Sequence, residues 1–154
     1  MIDLNRRLAL EQLDKKVQKF AVIADSDLPL NGWIYSIRTT LNMSLAQLGK
    51  RLKKTAQSVK EIEERERDKS LTLKRLIEFA EALNLRFVYG FVPKDSSIEN
   101  LIEKRATEVA REIVMRTSHT MSLEDQQNSD ARLQNAIKDR AEKIKQEMPK
   151  FLWD

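Results

Sequence analysis

The sequence predicts an all-α fold with a single short β-strand, and three observations predict it. Glycine and proline are scarce, three of each in 154 residues, too few for the turns of a sheet protein. Apolar residues recur at three- and four-residue spacing in one stretch after another, the pattern of helices that bury one face. Aromatic and β-branched residues are packed together in only one place, Leu85–Val92, which Pro93 ends.

The first helix is expected over 4–24, with Leu10, Leu13, Val17, Phe20 and Ala21 on its stripe. Asp25-Ser26-Asp27 and Pro29 end it, and Asn31-Gly32 makes a turn or cap. A second helix follows with Trp33, Ile34, Ile37 and Leu41 on one face, Trp33 being expected in the core. Ser44 with Gln47 three residues on forms a capping-box pattern that starts a short helix to Leu52. Lys53-Lys54 is the break, and Thr55 is the next N-cap, leading a helix that turns Val59 and Ile62 inward. After the polar Asp68-Lys69-Ser70, a helix over Leu71–Leu83 buries Leu73, Leu76, Ile77, Ala80 and Leu83. Two more are expected near Ile98–Arg116 and Leu123–Glu147, with Leu101, Ile102, Ala106, Val109, Ala110 and Ile113 on one stripe and Leu133, Ala136, Ile137, Ala141 and Ile144 on the other. The resulting division is an N-terminal helix (1–30), a four-helix domain (31–84), a strand (85–93) and a helical C-terminal extension (94–154).

A lone strand leaves its backbone N–H and C=O groups without a ladder. Pairing of 85–93 with the same segment of a second copy is therefore the expectation, making a homodimer with Phe87, Tyr89 and Phe91 at its interface. Stacking of those rings on single-stranded bases is the weaker alternative.

The chain has no cysteine, which excludes disulfides and thiolate metal sites and permits an intracellular location. No apolar run is long enough to span a bilayer and no signal peptide is visible, so a cytoplasmic protein without membrane contact is expected. No phosphate loop, Cys-His or Ser-His-Asp arrangement is present, so no catalytic residue, metal or cofactor is assigned. The net charge is +4, and it is unevenly placed: residues 32–92 carry twelve basic and seven acidic side chains, whereas 1–31 are balanced and 95–154 carry ten against twelve. Any attraction for a phosphate backbone lies in the middle segment.

Residues 44–64 meet the physical requirements of a helix-turn-helix. Gly49 is small enough to let the second helix cross the first closely. Lys53-Lys54-Thr55 is a turn of the right length. The second helix is apolar only at Val59 and Ile62, with Ala56, Gln57, Ser58, Lys60 and Glu61 opposite. In such motifs the start of the second helix enters the major groove of DNA. Gln57 suits a bidentate contact to adenine, Ser58 suits either base class, Lys60 suits guanine or a phosphate, and Glu61 suits cytosine. Ser44, Gln47, Lys50, Arg51, Lys54 and Thr55 complete the expected DNA-binding set, with the cations and the helix start near Ser44 on phosphates.

The stretch MSLAQLGKRLKKTAQSVKEIEERERDKSLTLKRLIEFAEAL resembles the helix-turn-helix domain of the Cro/repressor-like (xenobiotic-response-element) family. Leu45, Leu48, Leu52, Val59, Ile62, Glu63 and Leu76 stand at its framework positions. Lys53 stands where that family often has Gly, Lys54 where it often has an apolar residue, and Arg65 where a C-capping Gly is usual. Glu61, Glu63, Glu64 and Glu66 make the end of the recognition helix acidic. The order of helix-turn-helix, FVYGFVPKD, HTMSLEDQ and FLWD resembles the bacterial mobile mystery protein A family over most of the chain. Members stand beside a Fic-domain protein, so the resemblance implies an antitoxin-like partner role. It also gives Thr120 and Glu124 a meaning, since Thr120-Met121-Ser122-Leu123-Glu124 fits the Ser/Thr-x-x-x-Glu core of the helix that inhibits Fic enzymes, in which the Glu pairs with an arginine of the nucleotide site. The plainer reading is that Thr120 or Ser122 caps the last helix. His119, the single histidine, is read as a polar loop or interface residue. Trp153 is a candidate partner anchor, or covers the chain's own helix.

The expectation is thus a sequence-specific DNA-binding transcriptional regulator and not an enzyme: a repressor that binds double-stranded DNA as a homodimer, with a Fic-domain protein as partner. The alternatives are a protein-interaction module that inhibits an enzyme through its C-terminal helices, and a general nucleoid or single-strand binder.

Overall fold

A computed structural model describes residues 3–121 and 129–154, which form helices and connections with no β-strand among them. The chain divides into two compact units, one of residues Asp25–Tyr89 and one of the N-terminal residues to Ala24 together with Gly90–Asp154.

The first unit holds α2 (Trp33–Thr40), α3 (Leu45–Leu52), α4 (Ala56–Arg67) and α5 (Leu73–Ala82). Ile34, Leu48 and Val59 are wholly buried and, with Phe79, make its core. Leu45, Leu52, Ile62 and Leu76 pack around them. The helix starts follow from hydroxyl caps. Ser44 Oγ accepts from Gln47 N–H, Thr55 Oγ1 from Ser58 N–H and Thr72 Oγ1 from Arg75 N–H, at 3.1, 3.1 and 3.3 Å, each satisfying a donor that the first helical turn leaves open. The Thr72 cap is why the fourth helix starts at Leu73 and not at Leu71. α2 has no such cap, because its N-cap residue is Gly32. Glu66, from the far end of α4, takes that role: its carboxylate accepts from Trp33 N–H and Ile34 N–H, both at 2.8 Å.

The second unit holds α1 (Leu4–Ala24), α6 (Ile98–Met121), α7 (Ser129–Glu147) and a terminal 3₁₀ turn, Lys150–Trp153. Ala106, Ala110 and Ala141 let α6 and α7 approach closely around Ile102, Val109, Ile137, Ile144 and the buried Leu152. Asp14 of α1 caps α6, its carboxylate accepting from Ile98 N–H (2.7 Å) and Glu99 N–H (3.2 Å). Arg105 holds the 3₁₀ turn by donating to the Leu152 and Asp154 carbonyls at 2.7 and 2.6 Å. Lys145 of α7 bridges Glu103 (2.9 Å) and Glu99 (3.4 Å) of α6. Its hydrogen bond to Glu103, reinforced by the charges of both carboxylates, holds the ammonium above the usual lysine range.

The structure corrects several expectations. Residues 85–93 form no strand. Leu85 N–H instead closes the end of α5 on the Ala80 carbonyl at 2.7 Å, and Gly90 lies so close to the Phe20 ring that a Cβ there would sit 3.0 Å from it. Among the described residues no ladder partner exists for this segment, and local packing decides its path. Phe87 and Tyr89 stack with centroids 5.8 Å apart. Trp33 is not in the core but 52% exposed, because the next residue, Ile34, takes the inward position and a helix rotates about 100° per residue. Leu13, Leu41, Leu73, Ile77 and Leu101 are also exposed rather than inward, as is Ala136. The helix expected to end at Arg116 runs on to Met121. His119 and Thr120 lie on its last turns, whereas Glu124 and the expected start of the last helix at Leu123 lie outside the described residues.

Candidate nucleic-acid interface

α3 and α4 are joined by three residues, with Lys53 in the left-handed conformation (φ 55°). Glycine reaches that conformation without strain, and a lysine there bears a cost of roughly 1 kcal/mol. Lys54 N–H donates to the Gly49 carbonyl at 2.8 Å, folding the turn back over α3. A Cβ on Gly49 would lie 2.6 Å from the Lys54 carbonyl oxygen and 3.3 Å from Thr55 backbone atoms. Gly49 is therefore the contact that sets how closely α4 crosses α3.

The face of α4 away from the core presents Gln57, Lys60, Glu61 and Glu64, all exposed. Ser58 is half-buried, and its hydroxyl lies 2.9 Å from that of Thr55, which donates to it. Ser44 and Gln47 form a complete capping box: Gln47 Oε1 accepts from Ser44 N–H at 2.8 Å. Lys50, Arg51 and Lys53 are exposed and Lys54 is half-buried. Among the described residues none of these cations, nor Lys60, is paired with a carboxylate, so all are available to an external anion.

Two of the four acids near the end of α4, Glu63 and Glu66, are engaged away from its outer face. Glu63 is buried against Arg38 of α2: it accepts from Arg38 Nε and from Nη2 (3.2 Å), while Nη1 donates to the Met43 carbonyl at 2.9 Å. The hydrogen bond to Glu63 holds the Arg38 guanidinium above its ordinary value, and the same group lies 5.4 Å from the Tyr35 ring centroid. Glu66 caps α2, as described above. Glu63 is expected at a framework position, but the partners of Glu63 and Glu66 are not, although a signal for them exists. Val59, Ile62, Glu63 and Glu66 are spaced i, i+3, i+4, i+7, the stripe of a buried helix face, and an acid on such a stripe calls for a buried basic partner. Only Glu61 and Glu64 remain as negative charge on the outer face of α4.

Phe91 is 84% and Tyr89 62% exposed, Phe87 half-buried, and Trp153 56% exposed beside the buried Leu152. Among the described residues there is no cluster of three metal-ligating side chains, and no helix is long and apolar enough to cross a membrane.

Residues 34–89 match the family model described as helix-turn-helix, a little over a third of the chain. This segment is a helix-turn-helix domain of the Cro/C1 type, a kind of domain that suggests a DNA-binding regulator. No curated protein and no solved structure matches the chain. The match stops at Tyr89, within FVYGFVPKD and before HTMSLEDQ and FLWD, the segments that carry the wider resemblance.

Proposed function

We propose that the chain is a sequence-specific transcriptional regulator, a cytoplasmic repressor that binds its operator as a homodimer. The observation that carries this is the outer face of α4, where Gln57, Lys60 and Glu61 stand exposed beside the cations of α3 and the turn, which have no carboxylate partner among the described residues. Gln57, Ser58, Lys60 and Glu61 read base edges. Ser44, Lys50, Arg51, Lys54 and Thr55 hold phosphates.

The test is equilibrium binding to the chain's own promoter region against random duplex. The parent protein is expected to prefer the promoter. Gln57→Ala/Lys60→Ala should lose that preference, at about 1–3 kcal/mol for each base contact removed, while retaining salt-dependent binding to any duplex. Equal affinity for all DNA in the parent points to a nucleoid protein, and no DNA binding points to an interaction module. The exposed rings of Tyr89 and Phe91 support a paired state. Light scattering on the same preparation should return twice the chain mass at micromolar concentration, and a monomer there removes the dimer from the reading.

Partnership with a Fic-domain protein rests on the resemblance of the C-terminal segments, with Thr120, Glu124 and Trp153 as its contacts. Co-purification of the two proteins, lost in Trp153→Ala, would carry it.

A further inference from the structure

The geometry points to a binding site for a small zwitterion, an amino acid with an apolar body, in the cavity between the start of α1, the start of α6 and the end of α7. It goes beyond the DNA-binding reading, because every residue that lines this cavity belongs to the second unit. The cavity has a volume of about 220 Å³, below the ~300–1,000 Å³ usual for drug-sized ligands, so its occupant is small.

The chemistry of the occupant follows from which lining groups are already engaged. Ile102 of the core, with Leu10 and Met148 packed against that core, gives the cavity an apolar wall. Among the cations, Lys145 is held by Glu99 and Glu103, and Arg7 by Glu11. Arg6 has no carboxylate partner among the described residues. Among the acids, Glu99 is engaged by Lys145, and Asp3 Oδ1 accepts from Asn5 N–H at 3.1 Å. Glu142 accepts from the Gln146 amide at 3.0 Å and has no cation against it among the described residues. One guanidinium and one carboxylate, on different helices, therefore remain unpaired beside an apolar wall. A carboxylate on the occupant satisfies the first and an ammonium the second. An apolar body covers Leu10, Ile102 and Met148 and is favoured by the surface it removes from water. A simple anion would meet the like charge of Glu142, a simple cation that of Arg6, and a neutral ligand would serve neither.

Trp153 lies in this unit and Trp33 in the other. Urea unfolding of the full chain in a Trp33→Phe background, followed by fluorescence, therefore reads the unit that holds the cavity. Leucine, with its charges on neighbouring atoms, and ε-aminocaproate, with a charge at each end, are the probes. At least one of them is expected to raise the midpoint, since a ligand that binds only the folded state stabilises it, and the better of the two gives the spacing of the charges. Isovalerate and isopentylamine, with one charge each, should bind roughly tenfold more weakly than that probe or worse. Arg6→Gln and Glu142→Gln should each weaken the probe by a similar factor, roughly tenfold or more. Both side chains are exposed, so neither substitution is expected to move the midpoint without ligand. The site is overturned if neither probe moves the midpoint, or if the rise survives both substitutions in one chain, which would place the ligand elsewhere. No DNA enters the measurement, so its failure is distinct from a failure of the DNA-binding reading.

Discussion

Glu63→Ala is expected to remove about 3 kcal/mol from the stability of the helix-turn-helix unit, the lower end of the cost of breaking a buried ion pair from one side. The Arg38 and Glu63 side chains are 12% and 8% exposed. Deleting the carboxylate leaves the guanidinium out of water with the Met43 carbonyl as its remaining strong acceptor. A unit of about 65 residues has roughly 3–10 kcal/mol of total stability, so this one loss takes a third of it or more. The raised value of Arg38 fixes the pH behaviour. A group whose folded-state value is raised stabilises fully below its unfolded value and stops doing so only as pH rises through the folded one. From the arginine side, the pair therefore acts in full at neutral pH and weakens only in strong alkali. Trp33 lies in this unit and Trp153 in the other, so urea unfolding followed by fluorescence in a Trp153→Phe background reads the unit alone. Arg38→Met/Glu63→Leu should cost much less than Glu63→Ala, because two apolar side chains of similar volume need no counter-charge. A double variant as unstable as the single one would mean that shape, and not charge, is what the pair supplies.

How much was legible in the sequence depends on the range over which each feature is decided. The starts of α3 and α4 are decided within four residues, and the hydroxyls of Ser44 and Thr55 cap where the pattern placed them. The crossing at Gly49 was also legible, since a three-residue turn forces two helices together and only a small side chain admits that. Depth was not legible. Periodicity marks which face a residue occupies, not whether a neighbouring element covers it, so Trp33, Leu41, Leu73 and Ile77 read as core and are exposed. The run from Leu85 to Val92 forms no strand for a related reason: β-propensity records fit to a sheet surface, and the described residues of the chain offer none. Partners across long separations were invisible as well. Arg38–Glu63 spans 25 residues and Glu66–Trp33 spans 33, and a linear charge count places both acids at the end of α4 without naming a partner for either.

Gly49→Val should be the most damaging single change to DNA binding that touches no DNA-facing side chain. At this site the contact is with backbone: the Lys54 carbonyl oxygen would lie 2.6 Å from the new Cβ, and no rotamer change relieves that. The turn must move, and α4 moves with it. For alanine two effects oppose each other. Helix propensity favours Ala over Gly by about 1 kcal/mol, whereas forcing a carbon into a filled contact costs about 1–3 kcal/mol, so Gly49→Ala should be mildly destabilising. Valine adds two methyl groups and loses most of the propensity gain through its β-branching, so a loss near the top of that range, about 3 kcal/mol, is expected for Gly49→Val. Binding should fall further than stability accounts for. The remaining folded molecules hold Gln57 and Lys60 at a changed angle to the Lys50–Lys54 cations, and an interface that must reach phosphates and base edges together tolerates little rotation. Measured at 10 °C with the folded fraction fixed by circular dichroism, Gly49→Val should bind promoter DNA at least tenfold more weakly per folded molecule. Parent-like affinity per folded molecule would show that the Gly49 contact governs stability alone and that the crossing angle of α3 and α4 is set elsewhere.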